Sequence, residues 1–469
     1  MKQYFHITSI GWDADLINGM FDRIQEKTYI RFSHIVLTNI QAIDVMKSKQ
    51  RSDVIPIRRA MNELLPAPDL DLLASLEKDD VPTIHNMILG DRVLCKLPRE
   101  EVLSYATLLV HRIKEILETQ KPDVVIGGFD SLHSGIGLAV CRRLGIPWMA
   151  MGFTTVPKGY MGFCDQISPN ALLPIRRPID DDLKAEASEI LAAFLDNKMH
   201  VPAYVSSHSM SILLRRAPAN VANLIRRFLR TLSMQMDHYT WPSNIRRIDD
   251  YLRRLRNMLL LPQRLFLREP PDSCFAIYAL QMQPESSIDS WAPFFADQIH
   301  LIGQLVRAMP PNMKLLVKLH ISDADNYLPA QLRKLTALPG VALVHPTVRL
   351  RDFIEHADLV FGVQGTCCLE ASLLGKPVLI FGDSPYLKFP RVAQVGCITD
   401  LPAQIRTILA TPTPTYKEIL WAFTQYLARY MPSVYNDWSR PLADDDIMRL
   451  TTCFERLAVF IQARTSGDR

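Results

Sequence analysis

The chain has 469 residues, of which 48% are hydrophobic and 22% are charged, and its net charge is +4. This length exceeds one ordinary hydrophobic core and predicts at least two domains, and the composition is typical of a globular protein rather than a disordered or fibrous one. No uncharged apolar run reaches the roughly 18 residues that a transmembrane helix needs, so the sequence predicts none.

Cysteine and histidine spacing argues against a structural metal site. The eight cysteines form no CxxC pair, only Cys367 and Cys368 are adjacent, and the twelve histidines show no HExxH spacing. We therefore predict neither a disulfide framework nor a bound metal or other cofactor. The N-terminal residues lead into a strand-like segment without the apolar core of a signal peptide, which favours a cytoplasmic location.

The first third of the chain alternates strand-like and helix-like segments. Short apolar runs predict strands at 4–10, 34–38, 122–128 and 147–152, and helical spacing predicts helices at 14–27, 99–119 and 133–144. Strands separated by helices of this length predict a parallel sheet with crossover helices.

The middle segment, 176–268, is basic and predicted to be helical. Between Arg215 and Arg268 there are twelve arginines but only three acidic residues. Apolar residues repeat every three or four positions, at Ile245, Ile248, Leu252, Leu255 and Leu259. This pattern indicates an amphipathic helix that packs its apolar face on the body and solvates its arginines. The alternative is a surface that touches anionic lipid or an anionic glycan. A nucleic-acid partner is not predicted, because no binding motif accompanies the arginines.

The last 200 residues repeat the alternation of the first third. Strands are predicted at 274–280, 314–319 and 340–344, and helices at 293–309 and 417–430. The predicted fold is therefore α/β, with two Rossmann-like lobes that face a cleft and a helical, basic middle segment. The predicted segments are an N-terminal lobe (1–175), the connecting segment (176–268), a C-terminal lobe (269–430) and a helical tail (431–469).

The stretch from Phe361 to Gly382 carries the clearest local signal. It reads as a buried strand, a turn containing Gln364 and Gly365, a short helix from Thr366 and a second buried strand. The amides at the start of this helix suit a phosphate or carboxylate. Glu370, one turn further on, is within reach of a ribose or sugar hydroxyl. The alternative is an ordinary βαβ unit in which Gly365 serves only the backbone geometry.

Polar residues follow several predicted strands, where open α/β sheets bind ligands. In the C-terminal half these are Gln283, Glu285, His320 and His345. Gln283 and Glu285 lie in a loop suited to a sugar or a nucleotide base. His320 suits the phosphate of a leaving nucleotide. For His345, contact with the base and an ordinary loop role stay open.

Two carboxylates in the N-terminal half are candidates for a general base. Asp13 follows the first strand and Asp130 follows the strand at 122–128, with His133 one turn later as its possible partner. A partly buried carboxylate with a raised pKa can remove a proton from a hydroxyl group. The alternative role for both is the N-cap of the next helix.

Four segments carry a resemblance to a known family: 278–285, 291–298, 317–320 and 357–382. Their order and content resemble the capsular polysaccharide biosynthesis family, which groups with Kdo-type transferases and other two-lobed (GT-B) glycosyltransferases. The resemblance covers roughly residues 274–390, and the N-terminal half is similar only in layout.

The resemblance implies a metal-independent glycosyltransferase of bacterial surface polysaccharide or glycoconjugate synthesis. The C-terminal lobe would bind a nucleotide sugar, with CMP or UDP favoured as the nucleotide, through the candidates from Gln283 to Glu370. The N-terminal lobe would bind a glycan or glycolipid acceptor, with Asp13 first and Asp130 second as base and with His320 at the departing phosphate. An anionic membrane is a candidate partner of Arg215–Arg268, so peripheral attachment to the inner membrane stays open.

Two alternatives remain at this stage. A two-lobed sugar-nucleotide epimerase shares the architecture, and it typically has two adjacent glutamates in the turn where this chain has only Glu370. A non-catalytic glycan-assembly protein would keep the fold and use the arginines to dock.

Overall fold

The computed structural model describes residues 4–12, 16–37, 52–58, 63–78, 80–196, 239–240, 244–261, 263–321, 323–434 and 442–467. They form two compact units, each built on a sheet that has seven strands in the described part of the chain. The described residues of the first unit fall within Met1–Arg177, Asn223–Ser243 and Arg429–Arg469. Those of the second fall within Pro178–Ala222 and Asn244–Ala428.

This division groups the chain differently from the four predicted segments. Most of the described residues of the predicted connecting segment belong to the second unit, and the predicted tail belongs to the first. The tail joins the first unit because its helix is apolar on one face. Phe454 packs edge-on against Phe21, Phe32 and Phe163, with ring centroids 5.6 to 6.1 Å apart.

In its described part, the first unit contains eight strands and helices up to residue 127 and five more after it. In chain order they are β1 (Phe5–Ile10), α1 (Asp22–Lys27, after a π-helical turn at Ile17–Phe21), β2 (Ile30–Val36), β3 (Val54–Pro56), α2 (Leu70–Ala74), α3 (Ile84–Gly90), α4 (Arg99–Gln120), β4 (Val124–Gly127), α5 (Leu132–Leu144), β5 (Trp148–Phe153), β6 (Tyr160–Cys164), β14 (Met431–Pro432) and α15 (Asp444–Gly467), with a short 3-10 turn at Leu94–Lys96.

The second unit supplies the elements numbered in between. They are α6 (Asp181–Leu195), α7 (Asn244–Leu259), β7 (Phe266–Leu267), β8 (Phe275–Ala279), α8 (Ser286–Asp289), α9 (Gln298–Ala308), β9 (Lys314–Lys318), α10 (Pro329–Thr336), β10 (Val341–Val344), α11 (Leu350–Ile354), β11 (Leu359–Gly362), α12 (Thr366–Leu373), β12 (Val378–Ile380), β13 (Val392–Gln394), α13 (Leu401–Ala410) and α14 (Tyr416–Leu427).

The first sheet has the strand order β14-β6-β5-β4-β1-β2-β3. Strands β1 to β5 pair in parallel, and β6 and β14 add an antiparallel edge. The chain runs outward from β1 to β3 and then returns to β4 on the other side of β1. The strand order therefore reverses between β1 and β4, and apolar cores cover both faces of the sheet.

The second sheet has the order β13-β12-β11-β8-β9-β10-β7, and its described pairs are all parallel. Here the chain runs from β8 to β10 and then returns to β11 on the other side of β8. Its order reverses between β8 and β11. The prediction of an α/β protein with two Rossmann-like units is thus confirmed.

One predicted strand was misplaced. The strand expected at 34–38 spans Ile30–Val36, because Phe5 to Ile10 of β1 pair with Ile30 to Ile35 along their whole length. The apolar run at its end was visible in the sequence, whereas the polar residues Arg31 and Ser33 hid its beginning.

The predicted helix of the middle segment is present as α7, but its orientation is the reverse of the expected one. Asn257 on its polar side is fully buried, while Leu252 and Leu259 of the apolar stripe are 57% and 64% exposed. The packing of this stripe on the body was therefore a wrong prediction. In the described part of the chain, no helix combines the length and the apolar character needed to cross a membrane.

Candidate functional site

The reversal of strand order in the second sheet brings the ends of β8 and β11 side by side. Open α/β sheets hold their ligands at such a point, beyond the carboxyl ends of the strands. Gln281 follows β8, and Gln364 and Gly365 follow β11. A Cβ atom on Gly365 would lie 2.7 Å from Nε2 of Gln281. The missing side chain at residue 365 is therefore what allows Gln281 to reach across.

The backbone of Gln281 is fixed by Gln298, a buried residue at the start of α9. The Gln281 amide donates to Oε1 of Gln298 (2.8 Å), and Nε2 of Gln298 donates to the Gln281 carbonyl (2.9 Å). Oε1 of Gln281 is buried and accepts no hydrogen bond from any described residue. A buried acceptor without a donor is costly, so this oxygen is suited to a hydroxyl or N–H group of a ligand.

The first turn of α12 supplies a site for an anion. Gly365 is its N-cap, Thr366 is its first residue, and Gln364 before them is buried. The first N–H groups of a helix point out of it unpaired, and its positive end attracts negative charge. This geometry suits a phosphate group.

Lys318 adds a positive charge close to this turn. It ends β9, its Nζ donates to the Pro346 carbonyl (2.9 Å), and burial lowers its pKa to about 8, an effect that the thiol of Cys367 opposes. Because Cys367 belongs to the first turn of α12, the ammonium group lies near the anion site. Sequence reasoning assigned Lys318 no role, since nothing in a strand-end lysine reveals its neighbours in α12 and in the loop after β10.

Glu370 lies one turn further along α12 and is only 7% exposed. Burial raises the pKa of its carboxyl group to about 7, while Arg351 and Arg349 oppose the shift. No described residue hydrogen-bonds the carboxyl group. A buried carboxyl without such a partner is able to bind a sugar hydroxyl.

The loop of Gln283 and Glu285 is held in place by Asp289. Nε2 of Gln283 donates to Oδ1 of Asp289 (2.9 Å), and the Glu285 amide donates to Oδ2 of the same carboxylate (2.8 Å). Oε1 of Gln283 also accepts from Gln298 (2.9 Å), so both polar atoms of Gln283 are engaged within the protein. Glu285 is half-buried at the end of this fixed loop.

The two candidate histidines occupy different positions. His320 is half-buried, two residues beyond β9, the strand next to β8. His345 follows β10, which β9 separates from β8. Its Nδ1 lies 2.8 Å from Oγ1 of Thr347 and its Nε2 lies 3.0 Å from Oε1 of Gln263. His320 therefore follows the strand adjacent to β8, whereas His345 follows the next strand outward and has partners for both ring nitrogens.

The first sheet has a similar meeting point between β1 and β4. Gly11 follows β1 with a φ of +79°, and a Cβ atom there would lie 2.2 Å from Nε2 of His133. His133 is in the first turn of α5, just beyond β4. The imidazole ring thus lies directly against the backbone at the end of the neighbouring strand.

Ser131 connects His133 to Asp130 through an unusual backbone. Its φ of 76° and ψ of 152° fall in a region that residues other than glycine rarely adopt. Its Oγ lies 3.0 Å from Nε2 of His133 and donates to the Asp130 carbonyl in a short hydrogen bond. Strain of this kind clusters at functional sites.

Two carboxylates surround His133. Asp91 accepts the amides of Val93, Leu94 and Leu132, at 2.9 to 3.2 Å. Asp130 lies 3.4 Å from Arg92. Burial lowers the pKa of His133, and the charges of Asp91 and Asp130 oppose this shift.

The other candidate base, Asp13, lies outside the described residues. Sequence analysis proposed His133 only as a partner of Asp130. Nothing in the sequence indicates the positive φ of Gly11 and Ser131. Across the described ranges, no group of three or more His, Cys, Asp or Glu side chains is arranged to hold a metal ion. The predicted independence of metal and cofactor stays a prediction.

Comparison with known proteins gives matches only among solved structures. No protein-family model matches the chain. No curated protein matches it either. The KpsC β-Kdo 2,7-transferase of Thermosulfurimonas dismutans is 15% identical and similar over 73% of this chain and 89% of its own, with a TM-score of 0.32. The KpsC β-Kdo 2,4-transferase of the same organism is 14% identical and similar over 70% of this chain and 87% of its own, with a TM-score of 0.36. The UDP-GlcNAc 2-epimerase of Neisseria meningitidis, bound to UDP-GlcNAc, is 10% identical and similar over 90% of this chain and 99% of its own, with a TM-score of 0.24. Scores of this size establish neither a shared family nor a shared activity.

Proposed function

We propose that this protein is a GT-B-type glycosyltransferase that moves a sugar from a nucleotide-activated donor to a hydroxyl group of a glycan or glycolipid. The product would be a bacterial surface polysaccharide or glycoconjugate. One observation carries the proposal: the buried, unpartnered Oε1 of Gln281 beside the start of α12. A nucleotide sugar supplies what this site lacks, namely hydrogen-bond donors and a phosphate.

The donor would bind at the second unit through complementary groups. Its diphosphate or monophosphate would accept hydrogen bonds from the amides at Gly365 and Thr366, with the charge of Lys318 nearby. Gln281 would accept a hydrogen bond from the ribose or the base. Glu370 would bind a sugar or ribose hydroxyl, and CMP and UDP are the favoured nucleotides.

The reaction needs a base for the acceptor hydroxyl and stabilisation of the departing phosphate. The acceptor oxygen forms a bond to the anomeric carbon as the bond from that carbon to the phosphate oxygen breaks, and the hydroxyl proton passes to the base. His133 is suited to the base role because its lowered pKa keeps the imidazole neutral near pH 7. Asp130 and Asp13 stay candidates. The amides of α12, Lys318 and His320 would stabilise the nucleotide leaving group.

A thermal-shift panel with CMP, UDP, GDP and their sugar conjugates, with and without EDTA, tests this function. A ligand that binds only the folded protein stabilises it by about 2.7 kcal/mol at a hundredfold excess over its dissociation constant. We expect one nucleotide to shift the melting temperature regardless of EDTA and Gln281→Ala to lose most of the shift. Gln304→Ala, on the same helix as Gln298, is the matched control and should retain it.

Two results would contradict the proposal. A panel in which no nucleotide shifts the melting temperature would remove the donor site and favour a glycan-assembly protein. Nucleotide binding followed by release of an epimerised sugar without any acceptor would instead identify an epimerase.

A further inference from the structure

Helix α7 exposes apolar side chains that amphipathic helices normally bury. Ile248, Tyr251, Leu252 and Leu259 are all exposed, and so is Leu260 directly after the helix. Ile248, Leu252 and Leu259 lie four and seven residues apart on one face of the helix, with the half-buried Leu255 between them and Tyr251 and Leu260 at the edges, so they form one stripe. Scattered exposed leucines are ordinary, but a continuous exposed stripe marks an interaction surface.

The opposite side of α7 is anchored to its own unit by polar contacts. It packs against the short 3-10 helix Ala324–Asn326. Arg253 donates to the carbonyl of Asn326 (3.4 Å) and to its Oδ1 (3.1 Å), and it pairs with Asp250 (3.2 Å). Asn257 on the same side is fully buried. The outward direction of the stripe is therefore fixed by these contacts.

Positive charge accompanies the stripe. Between 244 and 268 there are seven arginines and only two acidic residues, Asp249 and Asp250. Arg256 is exposed and lies four residues after Leu252 and three before Leu259, so it borders the stripe directly. Arg264 and Arg268, just beyond the helix, are exposed as well.

We propose that the stripe Ile248–Leu260 of α7 docks this protein on an anionic membrane surface, with the helix lying in the plane of the interface. Helices that bind this way combine an apolar face with arginines that meet anionic headgroups, and Tyr251 suits the headgroup depth. A single such helix attaches a protein reversibly and does not require a membrane span.

Charge argues for lipid over the other occupants. A second copy of the chain, joined stripe to stripe about a two-fold axis, would place the arginines of both copies against one another. A nucleic acid would satisfy the arginines but would leave the leucines in water. An anionic bilayer satisfies both.

Vesicle sedimentation of the full chain tests the proposal. We expect binding to mixed phosphatidylcholine–phosphatidylglycerol vesicles, little binding to pure phosphatidylcholine, and weaker binding at high salt. The double variant L252S/L259S should lower the partition coefficient for anionic vesicles at least about tenfold. Arg256→Gln and Arg264→Gln should each weaken binding about fivefold. The matched control L89S/V459S replaces two exposed apolar residues of the first unit and should bind like the wild type.

Four results would overturn the inference. The first is that wild-type protein fails to bind anionic vesicles, and the second is that L252S/L259S binds as well as the control. The third is a dimer in light scattering that L252S/L259S dissociates, which would assign the stripe to a second copy. The fourth is a fall of several degrees in the melting temperature of L252S/L259S, which would show that the leucines pack within the protein. The nucleotide-binding test is independent, because vesicles are absent from it.

Discussion

Each sheet has a glycine at its reversal point in strand order, but on different strands: Gly11 follows β1, the first strand of its sheet along the chain, whereas Gly365 follows β11, the strand that returns to the other side of β8. At the reversal point of the second sheet, Gly365 has an ordinary backbone (φ −45°) and faces the side-chain amide of Gln281. At that of the first, Gly11 has a φ of +79°, and a Cβ atom on it would lie 2.2 Å from Nε2 of His133. A Cβ atom at residue 365 could therefore be accommodated by a shift of one side chain, whereas the tight contact and the positive φ make residue 11 a rigid position.

The ionisable groups at the two sites also differ. Around α12 burial holds a carboxyl group partly neutral at pH 7 and leaves a lysine near an anion site, which suits the binding of a nucleotide. Around α5 burial keeps an imidazole neutral between two carboxylates, which suits the acceptance of a proton. The same reversal of strand order thus surrounds two different sets of ionisable groups.

The largest effect that we predict comes from Gly11→Ala. Both the positive φ and the overlap of the new Cβ with the ring of His133 oppose it, so the free energy of unfolding should fall by about 3 kcal/mol. Adding His133→Ala in the same chain should recover part of this loss, since it removes the overlap and leaves the backbone strain. Urea unfolding of both variants measures the two contributions.

Gly19→Ala is the control for this prediction. Nothing lies within 4 Å of a Cβ atom there, and the residue has no positive φ. It should leave stability unchanged or raise it by about 0.5 kcal/mol. If Gly11→Ala behaved like Gly19→Ala, the rigidity assigned to the first site would be wrong.

Glu370 predicts the next largest effect, a pH dependence of stability. An unfolded glutamate titrates near 4.5 and the buried carboxyl group titrates at about 7, so the native state binds more protons between these values. Stability therefore falls as the pH rises through this window, by up to about 3 kcal/mol. Glu370→Gln removes the group, so urea unfolding at pH 5 and pH 8 should show the variant gaining relative to the wild type at pH 8.

Glu118→Gln, at an exposed position of α4, is the control and should gain nothing between the two pH values. Added nucleotide should increase the difference between the wild type and Glu370→Gln. A ligand hydroxyl bound to Glu370 would change the pH dependence of stability in the wild type but not in the variant. If the stability of the wild type changed between pH 5 and pH 7 in the same way as that of Glu370→Gln, the raised pKa assigned to this buried carboxyl group would be wrong.

The sequence predicts the sheets well because their strands are buried on both faces and read as apolar runs, such as Val124 to Ile126. It also locates the turn at Gly365. It does not reveal the contacts across each reversal point, since Gln281 and Gly365 are more than eighty residues apart. Amphipathic spacing alone predicted that the wrong side of α7 packs on the protein. The polar contacts of Arg253 and the burial of Asn257 decide which side packs.

Gly365→Ala should affect ligand binding rather than stability. The new Cβ would displace only the flexible amide of Gln281, so the free energy of unfolding should change by no more than about 1 kcal/mol. Nucleotide affinity in calorimetry should fall about tenfold, or 1.4 kcal/mol, because Gln281 no longer reaches the site. Gly303→Ala on α9 is the control. If Gly365→Ala left the nucleotide affinity unchanged, Gln281 would not be part of the nucleotide site.

The smallest effect is a gain in stability from Ser131→Gly. Glycine adopts the φ of 76° without strain, and its extra freedom in the unfolded chain offsets part of the benefit, so we expect about 1 kcal/mol in urea unfolding. The same change removes the oxygen 3.0 Å from Nε2 of His133. The rate of transfer should therefore fall while the affinity for nucleotide stays unchanged.

Ser131→Ala separates the two roles of this serine, because it keeps the strained backbone and removes only the hydroxyl. We expect a loss of transfer similar to that of Ser131→Gly without the gain in stability. In the wild type, the transfer rate should fall on acidification only at a pH below the ordinary pKa of histidine, since burial lowers the pKa of His133. Transfer by Ser131→Ala at the wild-type rate and with the same acid limb would show that the strain serves the backbone alone. The first site would then differ from the second in rigidity but not in chemistry.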